Sequence, residues 1–242
     1  MHDGEAKGAA NALSWTERGT PRSKRFDDVY YSDEDGLAEA DYVFVAGAGL
    51  AELFEKDAPI RIGELGFGTG LNFLSVWRAW SASRKRPPFE FISVEGAPLP
   101  RLDMARAHER WPDLAELSQR LLAAYPDDLA QGLWRAPSLE PGAALTISIG
   151  EAAAAIERVA PPIDVWLLDG FSPARNPEMW RPEIFSAIAT RSAPGARLAT
   201  YTAAGDVRRG LEAAGFAVEK RPGFRRKRHM LVARFGENAA NA

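Results

Sequence analysis

Cysteine is missing from the 242 residues. Its absence excludes disulfides, thiolate catalysis and cysteine-ligated zinc, and it suits a reducing compartment, the cytoplasm. Histidine is scarce: His2, His108 and His229 are scattered without metal-ligand spacing, so no metal site is expected. No stretch approaches the roughly 20 apolar residues of a membrane span, so no membrane association is expected. Residues 1–12 lack the basic start and apolar run of a signal peptide and read as a disordered tail, as do residues 237–242. No internal repeat or low-complexity tract occurs. The net charge of −3 argues against bulk attraction to a polyanion. The distribution is uneven, however. Lys220–Arg228 carries six basic residues and no acidic one, and without them the remainder falls from −3 to −9. Such a run reads either as a solvated loop or as a patch that guides a polyanion.

What remains is a globular composition, 46% hydrophobic and 26% charged. From Pro59 on, apolar runs alternate with helical patterns. Strands are expected at Ile60–Leu65, Phe89–Glu95, Ala144–Ile149, Ile163–Asp169, Ala196–Tyr201, Phe216–Lys220 and Arg228–Phe235. Helices are expected at Leu71–Ala82, Pro98–Arg110, Asp113–Ala124 (capped by Asp113), Glu151–Val159, Pro182–Arg191 and Asp206–Ala214. This alternation means an α/β fold with a mostly parallel, Rossmann-like sheet. The last two strands are joined by too short a loop for a parallel crossover, so they pair antiparallel. That hairpin is the arrangement of class I S-adenosylmethionine-dependent methyltransferases. Residues 13–58 form a small N-terminal addition at the mouth of the sheet, with short strands at Phe26–Ser32 and Tyr42–Val45 and a helix at Leu50–Lys56. Residues 59–236 form the main domain.

The loop after the first of these strands, Glu64–Asn72, has the spacing Gly66-x-Gly68-x-Gly70. Glycine permits a sharp turn and close approach of backbone to a ligand beside a helix N-terminus. The dinucleotide fingerprint needs a glycine where Leu71 stands. An acid two residues before the first glycine suits a cationic cofactor without pyrophosphate, and S-adenosylmethionine is one. Glu64, Gly66, Gly68, Thr69, Gly70 and Asn72 are therefore assigned to the cofactor. Glu95, ending the next strand, is assigned to the ribose hydroxyls and Glu151 to the adenine. The fourth parallel strand ends in Asp169, followed by Gly170–Trp180. A carboxylate with bent backbone and aromatic walls resembles the Asp-Pro-Pro-Tyr loop of amino-methyltransferases. An alkylammonium with a pKa of about 10 is neutral only about one part in a thousand at pH 7, so such a site must orient the amine and assist proton loss. Singly, Phe171 and Trp180 read more readily as core residues.

At this point the chain resembles the methyltransferase domain of the bacterial tRNA 5-methylaminomethyl-2-thiouridine biosynthesis proteins. The matching segments are Phe26–Ser32, Tyr42–Phe44, Gly63–Leu74, Trp111–Leu114, Trp166–Trp180, Leu198–Leu211 and Lys227–Leu231, within residues 15–235. The resemblance implies methylation, by S-adenosylmethionine, of the exocyclic amine of 5-aminomethyl-(2-thio)uridine at the tRNA wobble position. Asp169 would be the catalytic residue. Tyr30, Gly170, Phe171, Pro173, Asn176 and Trp180 would meet the base. Arg208, Arg209, Arg225, Arg226, Lys227 and Arg228 would meet phosphates near the anticodon. The family is often fused to an FAD-dependent oxidase. No second glycine fingerprint occurs here, so no FAD is expected, and the oxidase or another aminomethyl-producing pathway becomes a separate functional link. Three departures stand out: Ala48-Gly49 where the family has Gly-Asn, Glu151 where it has Asp, and Arg225 where it has Gly. The rival readings are an NAD-dependent oxidoreductase, which NAD-only thermal stabilisation would reveal, and a non-catalytic RNA-binding protein, which would be indifferent to Asp169→Ala.

Overall fold

The computed structural model describes residues 13–137 and 139–236. The expected tails at 1–12 and 237–242 lie outside them. Three short strands, β1 (Leu13–Trp15), β2 (Pro21–Ser23) and β3 (Asp28–Val29), form a small antiparallel sheet. The main sheet has eight strands: β4 (Ile60–Leu65), β5 (Phe89–Glu95), β6 (Gly132–Arg135), β7 (Ala143–Ile149), β8 (Ile163–Leu168), β9 (Ser192–Thr200), β10 (Phe216–Pro222) and β11 (His229–Phe235). Their order is β10-β11-β9-β8-β4-β5-β7-β6. Strands β9, β8, β4, β5 and β7 run parallel, and β10–β11 is the antiparallel hairpin expected from its short loop.

Strand alternation sorts the side chains into two cores, one on each face. Ile60 and Ile62 of β4 and Val165 and Leu167 of β8 join Phe73, Trp77 and Phe91 on one face. Leu65, Ile163, Trp166 and Leu168 join Ile156, Phe185 and Leu211 on the other. The N-terminal segment is part of the first core through Leu37, Phe44, Leu50 and Phe54.

Three local expectations need correction. Tyr42–Val45 is not a strand but part of a π-helix, Asp41–Ala46. Its β-branched composition suggested extension. Tertiary packing prevails: Val43, Phe44 and Val45 are buried, and Asp41 accepts hydrogen bonds from Ser75 (2.5 Å) and Arg78. Within Phe26–Ser32 only Asp28–Val29 is strand. Asp113 does not cap a helix. It lies in a 3₁₀ turn, Pro112–Leu114, and the following helix Ala115–Ala124 has Leu114 at its N-cap. The edge strand β6 had been overlooked because four residues carry too little periodicity.

Candidate functional site

Strand β4 lies between β5, which follows it in the chain, and β8 on its other side. The chain therefore changes winding direction at β4, and open α/β sheets place ligands at the carboxyl ends of such strands. The two strand ends are closely joined here. The Asp169 N–H donates to the Leu65 carbonyl at 3.1 Å, and the Gly66 N–H donates to that of Val94 at 2.8 Å. Gly66 has φ +88°, and a Cβ there would lie 2.1 Å from the Asp169 carbonyl oxygen. Gly68 has φ +52°, with room only up to the Tyr30 ring. Both glycines are thus required, one by the acceptor strand and one by the N-terminal segment.

A cavity of about 750 Å³ opens over these strand ends. Of the residues assigned to the cofactor, Gly66, Gly68, Thr69, Asn72, Glu95 and Glu151 line it. Of those assigned to the acceptor, Tyr30, Asp169, Gly170, Phe171, Asn176 and Lys227 line it. Glu95 accepts from the Gly68 N–H (2.9 Å) and the Ala97 N–H (2.8 Å), which fixes the loop and leaves carboxylate lone pairs for the cavity. Glu151 accepts from the Ala154 N–H as the N-cap of helix Ala152–Glu157. Behind the loop, buried His108 bridges Ser118 and Thr69 at 2.7 Å each. A carbonyl only accepts, so Nε2–H donates to Thr69 and Nδ1 takes the Ser118 hydroxyl. Burial lowers the pKa of His108, in keeping with this neutral form.

Glu64 does not present a charge to the cavity. Its side chain points into the first core, with the same parity as Ile60 and Ile62, and is 1% exposed. Asn72 Nδ2 donates to its Oε1 at 3.0 Å and the Ser93 hydroxyl to its Oε2 at 2.5 Å. Burial pushes its pKa up to about 8. The same Asn72 amide donates to Asp169 Oδ2 at 2.7 Å, so one amide group bridges two acids. Burial raises the Asp169 pKa to about 7; the Asn72 hydrogen bond opposes this, Glu39 and Asp28 add to it, and Lys227 counters them.

Other assignments also fall away from the cavity. Gly70 does not line it, but starts helix Leu71–Ala82 with φ +75°. Pro173 is not among the lining residues. Trp180 is buried beneath the acceptor loop, its indole N–H donating to the Phe171 carbonyl at 2.9 Å. Arg208 and Arg209 are tied to Glu212 and Asp206 on their own helix, Gly205–Ala213. The basic run is largely neutralised in place: Arg225 meets Asp35 at 3.2 Å, Arg226 meets Glu34 at 3.0 Å, and Lys227 meets Glu39 at 2.8 Å. Arg228 is exposed and outside the lining.

Arg225 also occupies φ +47°, a conformation that suits the glycine found there in the family it resembles. That geometry costs a non-glycine residue about 1 kcal/mol, against about 0–1 kcal/mol from an exposed ion pair. Thermal denaturation is expected to find Arg225→Gly close to wild type and Arg225→Ala less stable by at most about 1 kcal/mol, because alanine keeps the strain and loses the pair.

Asp28, Phe26, Glu39 and Tyr201 line the cavity without having been singled out from the sequence. Phe26 stacks on Phe171 at 4.7 Å, and Tyr30 meets the Phe171 ring edge-on at 5.0 Å. Asp28 accepts from the Ser172 N–H at 2.9 Å. Tyr201 follows the carboxyl end of β9, a position that the switch-point rule marks. Glu39, on the short helix Gly36–Ala40, had no sequence signal.

Residues 112–235 match the profile of the S-adenosyl-L-methionine-dependent methyltransferases. The chain belongs to this family. Its cofactor is therefore S-adenosylmethionine, and the cradle fits it: bare backbone at Gly66 and Gly68, a carboxylate at the end of β5, and one cavity shared with Asp169. This methyltransferase is 46% identical, over 91% of its length, to the tRNA 5-methylaminomethyl-2-thiouridine biosynthesis bifunctional protein MnmC of Maricaulis maris. It is 43% identical, over 95%, to the MnmC of Hahella chejuensis. It spans only 38% and 37% of those two relatives. A crystal structure of MnmC2 from Aquifex aeolicus superimposes with a TM-score of 0.71 at 25% identity, covering 93% of this chain and 69% of that one. Spermidine synthase from Thermotoga maritima shares the fold, with a TM-score of 0.55 at 11% identity, covering 93% of this chain and 72% of that one.

Proposed function

We propose that this methyltransferase acts on the primary amine of 5-aminomethyl-(2-thio)uridine at the wobble position of tRNA, giving the 5-methylaminomethyl product. The observation that carries this reading is Asp169. It is a carboxylate on the wall of the cofactor cavity, oriented by Asn72, with its pKa raised to about 7. The names of the MnmC relatives supply the substrate class.

S-adenosylmethionine, held by the Gly66–Thr69 backbone, Glu95 and Glu151, supplies the electrophilic methyl group. Asp169 receives the substrate ammonium as an ion pair and takes up its proton. For an ordinary aspartate at 3.8, transfer from an ammonium at about 10 is uphill by about 8 kcal/mol; for a group near 7 it is uphill by about 4. Burial of the ammonium narrows the gap further. Phe171, braced by Phe26 and Tyr30, offers an aromatic face to the unstacked uracil. Arg225 and Arg226, the more exposed members of the run, exchange their carboxylate partners for phosphates, which makes tRNA binding fall steeply with salt. The aminomethyl substrate comes from a separate step, an FAD-dependent oxidase or an equivalent route, and the reaction is cytoplasmic.

The deciding assay incubates the chain with labelled S-adenosylmethionine and tRNA from cells lacking this modification, followed by nucleoside analysis. Label on the exocyclic nitrogen is expected. Label on carbon or on ribose would rule the reading out.

A further inference from the structure

Glu39 and Lys227 come from the two ends of the chain and meet on the wall of the cavity that holds Asp169. Their contact, 2.8 Å, differs from the neighbouring pairs of the basic run. The Glu39 side chain is 11% exposed, whereas the acids of the neighbouring pairs, Glu34 and Asp35, are 33% and 36% exposed. The Lys227 ammonium also lies 4.1 Å from the centroid of the Tyr201 ring. The Tyr201 hydroxyl donates to the Gly170 carbonyl at 2.7 Å, and Gly170 follows Asp169 directly. The pair is therefore joined to Asp169 both by its charges and by a chain of contacts.

We infer that Glu39 and Lys227 are positioning residues that act on the reaction through Asp169, Lys227, held over the Tyr201 ring, as its counter-cation and Glu39 as the opposing charge beside it. The inference rests on the reading of Asp169 as the group that faces the amine. The charges around Asp169 have defined senses. Glu39 and Asp28, from the N-terminal segment, favour its protonated form. Lys227, from the β10–β11 loop, favours the carboxylate. Tyr201 packs beneath Lys227 as a neutral phenol, its pKa raised chiefly by burial. Glu64, beyond Asn72 on β4, is itself held protonated at neutral pH by burial. Removing Lys227 must therefore make Asp169 harder to ionise. Removing the Glu39 charge must make it easier, provided Lys227 stays.

The experiment titrates the side-chain carboxyl ¹³C signals of the ligand-free chain, with Asp169→Asn assigning the Asp169 resonance. The wild-type midpoint is expected near 7. It should rise by about half a pH unit in Lys227→Met and fall by a similar amount in Glu39→Gln, with Lys227→Arg close to wild type. In methyl transfer the acidic limb of the kcat/KM profile should move the same way. Midpoints unchanged in both variants, or moved in the same direction, would overturn the inference. Glu39 is buried, so if Glu39→Gln fails to fold, the comparison of Lys227→Met with Lys227→Arg decides. Opposed shifts in the titration without any transfer to tRNA by the wild type would leave the inference intact and remove the proposed substrate instead.

Discussion

Asp169→Asn is expected to lower kcat by about 10²–10⁴-fold, the usual contribution of a positioned proton acceptor. Asparagine retains the shape, can still accept the Asn72 hydrogen bond and removes a buried charge, so the fold should be no less stable, and more stable at neutral and alkaline pH. Affinity for tRNA should hardly move, because phosphate contacts supply most of it. In the proposed reaction, Asp169 works as the carboxylate. The kcat/KM profile should therefore rise as pH passes about 7, and this limb should vanish in the variant. A fall in rate of less than about tenfold, with the limb intact, would show that Asp169 is not the proton acceptor.

Glu64→Gln is expected to remove a large pH dependence of folding. The folded pKa, about 8, lies far above the ordinary carboxylate value of 4.5 because the group is buried. The folded state thus keeps a proton that the unfolded chain gives up above pH 4.5. Stability from this source is complete below about pH 4.5 and is lost progressively up to about pH 8, where the sign of the linkage makes it smallest. The span corresponds to at most about 5 kcal/mol for one group. Chemical denaturation of the ligand-free wild type at pH 5 and at pH 8 should show a clear decline. Glutamine, neutral throughout, should flatten most of it, and the residual slope should carry the smaller contribution of Asp169, whose folded pKa is also raised. Equal slopes for wild type and variant would mean that Glu64 is ionised in the fold.

Both results turn on Asn72, which the glycine-loop pattern marks only as a cofactor residue. Its amide spans Glu64, 8 residues before it, and Asp169, 97 residues after it, and the two acids are adjacent in space because β4 and β8 are neighbours. The direction of Glu64 was nonetheless legible. It shares the parity of Ile60 and Ile62, so strand alternation sends it into the core. The glycine spacing had drawn attention to its charge rather than to its face. Trp180 is the corresponding case on the acceptor side, where an aromatic residue beside the site proved to support the loop from below.

The sequence by itself determined the parallel sheet with its terminal hairpin, the glycine loop and Asp169 at a strand end. These depend on local signals: apolar runs of strand length, glycines at a turn, and a loop too short for a crossover. It therefore also determined the class of cofactor. Only the tertiary structure decided how charge is distributed around that framework. The basic run reads along the chain either as a solvated loop or as a patch, and neither reading shows that Glu34, Asp35 and Glu39 fold against it from about 190 residues away. The Asp41–Ala46 segment became helical because burial of Val43 and Phe44 outweighed its preference for extension. Ion pairing and desolvation depend on distance and burial in space, and no local pattern along the chain carries either.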